Sequence, residues 1–459
     1  MDNGSSAASM ARRTALGVIA GAGAGALLWP YTPKGYVDVP RGRVELRYWE
    51  KWTGIEGAAL QTVVDRFNHS QDRIWVHLVP VSDITSKAMV AIGGGDPPDL
   101  VGLYSYSVPT YANARAVMPL DEFEGHATID PEGYVPGVRD LLWHEGRPWA
   151  GVNTCYTLAI YYNRSLLRGV NHDPGKLPRT IDELDDLSGK LTRFDTAGRL
   201  EQAGFLQNVP GWWNYFWPIM FGGRLYDETR GRAMCAEPRC VRAFEWVRAT
   251  AARFGVAATT AFASGYGRNI HSAQDPFMSG RMAMIVQGPW LANFIRTLTP
   301  SLDYVAAPVP VATDVFDPDR PTGLLEADVL MIPRGCPHPE ESYTFMTFMQ
   351  RQDVQEELAT AHCKPSPFRL CSPGFIEQHP NRSIRAFDAI AKSSAAQILP
   401  RTTAWKAYSD LINPAFDRTW SGSDPAATLA AVQVRAQQMI DTAEQRRRER
   451  DRIRNEASA

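Results

Sequence analysis

The chain has 459 residues, 44% of them hydrophobic and 21% charged, with a formal net charge of −2. That length and balance describe a globular chain of two or more lobes with room for a sizeable core. The near-neutral charge offers no basic face, so a nucleic-acid partner is not expected. The 13 Trp and 16 Tyr say more: each joins a flat apolar face to a polar edge and suits ligands that are half apolar and half hydroxylated.

Arg12-Arg13 opens into an apolar run, TALGVIAGAGAGALLW, the layout of a secretory signal. Gly21, Gly23 and Ala26 mimic a dinucleotide fingerprint, but Pro30 and Pro33 stop the helix such a unit needs. Residues 1–31 therefore read as a signal sequence or an N-terminal membrane anchor, and 32–40 as a linker. Residues 44–49 alternate as a first strand. The loop EKWTGIEG leads into a helix with Leu60, Val63, Val64 and Phe67 at helical spacing. A strand follows at 74–79, then a helix at 84–92 stopped by Gly93-Gly94-Gly95, then a strand at 100–104. Strand, helix, strand, helix, strand is the order of a parallel sheet with right-handed crossovers.

Residues 147–162 form a long extended segment around Asn153-Thr154, able to pass from one lobe to another. Thr180 and Glu183 make a capping box. Trp212, Trp213, Tyr215, Phe216 and Trp217 fall in one region expected to be helical, with Trp212 and Trp213 nearest its turn. The stretch QDPFMSGRMAMIVQGPWLANFI reads as helix end, strand over 281–286, Gln287-Gly288 turn and helix. It leaves Trp290 just past the carboxyl end of a strand, where open α/β sheets bind ligands. Strands at 304–311 and 323–332 follow, joined by DVFDPDRPTG, which lacks the turn glycine of a calcium loop. Helices at 339–350 and 353–360 and an amphipathic helix at 424–443 precede EQRRRERDRIR, a charge run expected to fray. The six cysteines include no CxxC, and no Cys/His cluster has metal spacing, so no metal or cofactor is expected. Cys235 with Cys240, and Cys363 with Cys371, are near enough in sequence for local disulfides; buried thiols fit equally well.

Eight segments in order, ELRYWEKWTG with DRFN, AIGGGDPPDLV, MPLDEF, GRPWAGV with LAIYYNRSLL, PRTIDEL, PFMSGRMAMIVQGPW, DYVAAPVP and DVLMIPRGCPHPEESYTFMTFM, resemble the extracellular solute-binding proteins of ABC importers, in the sugar-binding group. The resemblance runs from residue 44 to about residue 443 and implies an α/β, two-lobed type II periplasmic-binding fold with hinge strands. It implies one lobe at 41–152 and 306–349, another at 156–303 and 353–445, hinges at Asn153 and at 303–306, and a charged tail at 446–459. The implied function is carbohydrate binding between the lobes by a monomer in the periplasm or at the cell surface. Its partners would be an ABC permease and, through the N-terminal segment, the membrane; a membrane-tethered sensor is the alternative. A carbohydrate-active enzyme is a weaker reading, because the chain has no GxSxG, no HExxH and no P-loop. In such a clamp, loops after strands face the cleft, which nominates Glu50, Trp52, Thr53, Tyr104, Tyr106, Asn153, Trp212, Trp213, Trp290, Glu326 and Asp328. Trp52, Trp213 and Trp290 would stack on sugar rings; Glu50, Asn153, Glu326 and Asp328 would accept hydroxyls.

Overall fold

Strand β1 (Val44–Glu50) buries every second side chain, Leu46, Tyr48 and Glu50, on one face. Helix α1 (Gly54–Ser70) covers that side with Leu60, Val63, Val64 and Phe67, spaced as the sequence predicts. The structure, a computed structural model, describes residues 39–123, 130–266 and 272–458. The signal or anchor at 1–31 and most of the linker lie outside the described residues. Among the described residues no helix is long and apolar enough to cross a membrane.

Strand β2 (Ile74–Pro80), helix α2 (Ile84–Gly93) and strand β3 (Leu100–Tyr104) complete the parallel start, with β2 and β3 flanking β1. Helices α3 (Val108–Asn113) and α4 (Pro136–Leu142) follow, and strand β4 (Gly151–Thr157) pairs antiparallel with the much later β8 (Gly323–Met331), which also pairs antiparallel with β3. This sheet carries apolar cores on both faces. One holds Val101, Leu103, Val152 and Val329; the other holds Leu46, Tyr48, Leu100 and Leu330.

One residue past β4 the chain changes sheets. Strand β5 (Ala159–Asn163) is the centre of an antiparallel three-stranded sheet, flanked by β6 (Met284–Gln287) and β7 (Tyr304–Ala307). Its core gathers α5 (Ile181–Leu191), α6 (Pro238–Phe254), α7 (Leu291–Leu298), α10 (Ile384–Lys392) and α11 (Trp405–Trp420). The Thr180–Glu183 capping box starts α5 as predicted.

Several sequence expectations shift. The crossing lies at Leu158 rather than Asn153, because Val152, Thr154 and Tyr156 still pair with β8. The return lies near 321–323 rather than 303–306. Ala306 and Ala307 pair with β5, and Val311 bridges Thr180, so this stretch stays with the second sheet. Helices α8 (Pro339–Met349) and α9 (Gln352–Ala361) both bury side chains against the first sheet, Val354 and Leu358 among them. The segment before β6 is a turn instead of a helix end, its Asp275 carboxylate accepting from the Phe277 and Met278 N–H groups. Trp212 to Phe216 are likewise turn residues, the helix there spanning only Trp217–Met220. The charged tail does not fray: α12 (Pro425–Ser458) is one helix, stitched by pairs such as Glu449–Arg452 and tied to Glu145 through Arg447. All six cysteines are free thiols, with Cys235 bonded to the Leu429 carbonyl and Cys240 to that of Arg224.

Candidate functional site

Strand period places the site. On β8, Glu326 and Asp328 are two residues apart and share a face; across the ladder Glu326 faces Tyr156 and Asp328 faces Thr154. Both neighbours donate to the carboxyl opposite them, Tyr156 to Glu326 Oε2 and Thr154 to Asp328 Oδ2. Asp328 also takes two ammonium groups, Lys51 Nζ at 3.1 Å on one oxygen and Lys364 Nζ at 3.1 Å on the other. Lys51 comes from the turn between β1 and α1. Lys364 comes from the end of α9, where Cys363 sits at φ +60° and the Lys364 N–H returns to the Ala359 carbonyl. That closing turn usually takes a glycine; a cysteine there costs about 1–2 kcal/mol and aims the lysine at the carboxylates.

Burial sets the charges. It would raise Asp328, but Lys364 and Lys51 outweigh it and hold that carboxyl well below its usual range. Burial would lower Lys51, and Asp328 and Glu50 more than reverse this. For Glu326 burial wins: with Asp328 adding to it, the carboxyl is pushed up to about 8. Glu326 is therefore protonated at neutral pH, while Asp328 is ionised.

Around this network stand aromatic rings from both sheets. Trp290 follows β6 at the start of α7 and folds back over Gly288, where a Cβ would meet its ring at 2.2 Å. Its ring lies edge-on to Tyr156 with centroids 5.1 Å apart, and 6.1 Å from Trp213, which in turn lies 5.4 Å from Trp212. Exposure grows outward along this row: Tyr156 is buried, Trp290 and Trp213 are half-buried, and Trp212 is 44% exposed. Tyr104 and Tyr106 stack on each other at 5.4 Å, and their phenols, like that of Tyr215, feel Glu326.

The structure thus brings Trp213, Trp290, Tyr104, Tyr106, Glu326 and Asp328 together. Trp52 is nearby but its ring is occupied, with Lys51 and Lys364 Nζ 4.7 and 4.8 Å from its centroid and His362 against its edge. Thr53 is exposed at the start of α1 and makes no capping bond. All four residues expected to accept hydroxyls are buried, Glu50 and Asn153 at 1% and 0% exposure and Glu326 and Asp328 at 2% and 3%; what sets Glu50 and Asn153 apart is that they bond each other. Asn153 Nδ2 and the Tyr48 hydroxyl donate to Glu50 Oε2 at 2.9 and 2.8 Å, so the two hold each other inside the first sheet. The β1 alternation carries that signal, since Glu50 falls on the face of Leu46 and Tyr48. Lys51, Thr154, Tyr156, Tyr215 and Lys364 escaped sequence reading. Thr154 and Tyr156 take their place only through the pairing of β4 with β8, which brings them opposite the two acids.

Gly102 on β3 makes room for Glu50: a Cβ there would lie 1.8 Å from Glu50 Oε2. Gly102→Ala is expected to cost about 2–3 kcal/mol, read as a lower urea midpoint. An unchanged midpoint would show that Glu50 is not held where the strand register puts it.

The family of bacterial extracellular solute-binding proteins matches residues 51–356. The maltotriose-binding protein of Pyrococcus abyssi (strain GE5 / Orsay) is 22% identical over 228 residues, 50% of this chain and 45% of that protein. The sn-glycerol-3-phosphate-binding periplasmic protein UgpB of Yersinia pestis is 26% identical over 177 residues, 37% of this chain and 39% of that protein. The chain thus spans less than half the length of these curated relatives. Among solved structures, CpMnBP1 with mannobiose bound superposes with a TM-score of 0.76 at 23% identity, covering 86% of this chain and all of that one. The sugar-binding protein MalE of Xanthomonas citri gives 0.71 at 16% identity, covering 87% of this chain and 98% of that one. These likenesses show the two-lobed α/β fold of periplasmic binding proteins. With two thirds of its length matched, the chain belongs to the bacterial extracellular solute-binding protein family.

Proposed function

We propose that this chain is the extracytoplasmic binding component of an ABC importer, closing two lobes on a neutral oligosaccharide and presenting it to a permease. In this reading the lobes meet around Leu158 and residues 321–323, where the backbone leaves one sheet for the other and rotation is absorbed. Residues 1–31 serve export or anchoring.

The observation that carries the reading is the charge balance within a ring of aromatics. Lys51 and Lys364 are matched by Asp328 and Glu50, and Glu326 is uncharged. A site with no spare cation among the described residues suits a neutral hydroxylated solute and disfavours a phosphate, which favours the maltotriose-binding relative over the glycerol-phosphate one as a guide. Trp290 and Trp213 supply stacking faces, Trp212 the outermost one, and Tyr104, Tyr106, Tyr215 and Glu326 the polar edges. Trp52, Glu50 and Asn153 serve as supports that fix the lysines and β1. A hydrolase needs two carboxyls facing each other across the scissile bond. Here the two acids sit side by side on one strand, and Asp328 is tied to both lysines.

The test is a tryptophan-fluorescence titration with maltotriose, mannotriose and sn-glycerol 3-phosphate. Saturable quenching by a trisaccharide, with no reducing sugar released, is expected. Binding of glycerol phosphate alone would overturn the neutral-solute reading.

A further inference from the structure

We propose that Glu326 meets the solute as an uncharged carboxylic acid, placing a hydrogen-bond donor in the floor of the cleft. The proposal rests on the sugar-binding reading above and adds to it the chemistry of one contact.

The geometry divides two adjacent acids unequally. Both ammonium groups approach Asp328 to 3.1 Å, and among the described residues no Lys, Arg or His nitrogen lies within 4.0 Å of Glu326. The hydrogen bond that Glu326 does receive comes from a neutral phenol, Tyr156, on Oε2. A buried carboxyl with no counter-ion, beside one that is ionised, keeps its proton. With Oε2 accepting from Tyr156, that proton belongs on Oε1.

The groups facing Glu326 hold their charge states while it titrates. Asp328 from its own strand is kept ionised, and Lys51 after β1 is kept protonated. Tyr156 from β4, Tyr104 from β3, and Tyr106 and Tyr215 from the turns beyond are all raised, burial being the largest cause, so they remain phenols. Lys364, at the end of α9, is bonded to Asp328 and Thr154. His362 beside it is lowered to about 3 by burial and by Lys364, so it is neutral throughout.

The chemical consequence is specific. An ionised carboxylate can only accept, and so selects hydroxyls. A protonated one also donates, and can engage an oxygen that only accepts, such as the ring or glycosidic oxygen of an oligosaccharide. The lysine donors beside it are already bound to carboxylates, so Glu326 joins the Tyr104, Tyr106 and Tyr215 hydroxyls as a neutral donor.

Infrared difference spectra of the full chain between pH 6.5 and pH 9.5 report the proton directly. A carboxylic C=O band is expected that disappears on the alkaline side and is missing from Glu326→Gln. Calorimetric titration with maltotriose and mannotriose over the same range reports its use. With a titration near 8, wild-type affinity is expected to fall about 30-fold by pH 9.5, roughly tenfold per unit. Glu326→Gln keeps an N–H donor and is expected to bind with a flat pH profile. Absence of the band in the wild type at pH 6.5, or an equal pH slope in the variant, overturns the proposal. Failure of both sugars at every pH, with the band present, overturns the sugar reading and the donor role with it.

Discussion

Asp328→Asn is expected to lower the unfolding free energy by about 3–5 kcal/mol, the larger of the two stability losses anticipated here. The asparagine keeps the shape and the Thr154 bond but removes the negative charge that two buried ammonium groups share. Lys51 retains Glu50 at 3.1 Å, whereas Lys364 is left with Thr154 and the more distant Glu56 at 3.6 Å. Because the Lys364 side chain is only 2% exposed, water does not replace what is lost. Adding Lys364→Met to Asp328→Asn removes the stranded charge, and the double variant is expected to recover part of the loss; a urea midpoint for each variant gives the comparison. The pH dependence has a definite sign. Asp328 is depressed in the folded chain, so its contribution is present above the ordinary carboxylate range and fades as pH falls below it. Glu326 is raised, so its contribution is present below that range and fades as pH climbs toward about 8. Asp328→Asn should therefore flatten the acid limb and, because the Asp328 charge helps to raise Glu326, move the alkaline limb to lower pH. Equal midpoints for wild type and Asp328→Asn would mean that the lysines are neutralised some other way.

The parallel start, the capped helix at Thr180 and the placing of Trp290 beyond a strand were all readable, because each depends on local periodicity or on one turn. The errors have a common cause. Where the chain crosses between sheets depends on which distant strand pairs with Tyr156 or Ala306, and β8 lies about 170 residues from β4. Nothing local to Asn153 reveals that pairing. The same applies to the site. Glu326 and Asp328 were nominated from their place in the returning strand, but their unlike protonation depends on Lys364, which reaches them from the end of α9. That helix closes on Cys363 in a left-handed conformation, where a glycine would have announced the turn; only Pro365 just beyond hinted at it. The burial of Glu50 went unread for the opposite reason. Its place after a strand suggested the cleft, whereas the strand's own alternation already put it inside with Leu46 and Tyr48.

Trp290→Ala is expected to weaken binding of the preferred trisaccharide by about 1–3 kcal/mol, roughly 5- to 150-fold in Kd. The residue lies between the buried Tyr156 and the half-buried Trp213, so its indole runs from the buried end of the aromatic row toward the exposed one. A sugar face laid on it gains contact area without requiring the protein to order a flexible side chain, because Gly288 already lets the ring fold down against the backbone. Trp290→Phe should retain part of that face and lose correspondingly less. Trp212→Ala, at the exposed end of the row, should lose less still, since water competes there for the same surface. The ordering separates stacking from general damage. A folding defect would move all sugars and all three variants with the melting temperature, whereas stacking predicts a graded loss of affinity with near-constant melting. Affinity for maltotriose and mannotriose that is unchanged in Trp290→Ala would take this residue out of the site, and the aromatic row with it.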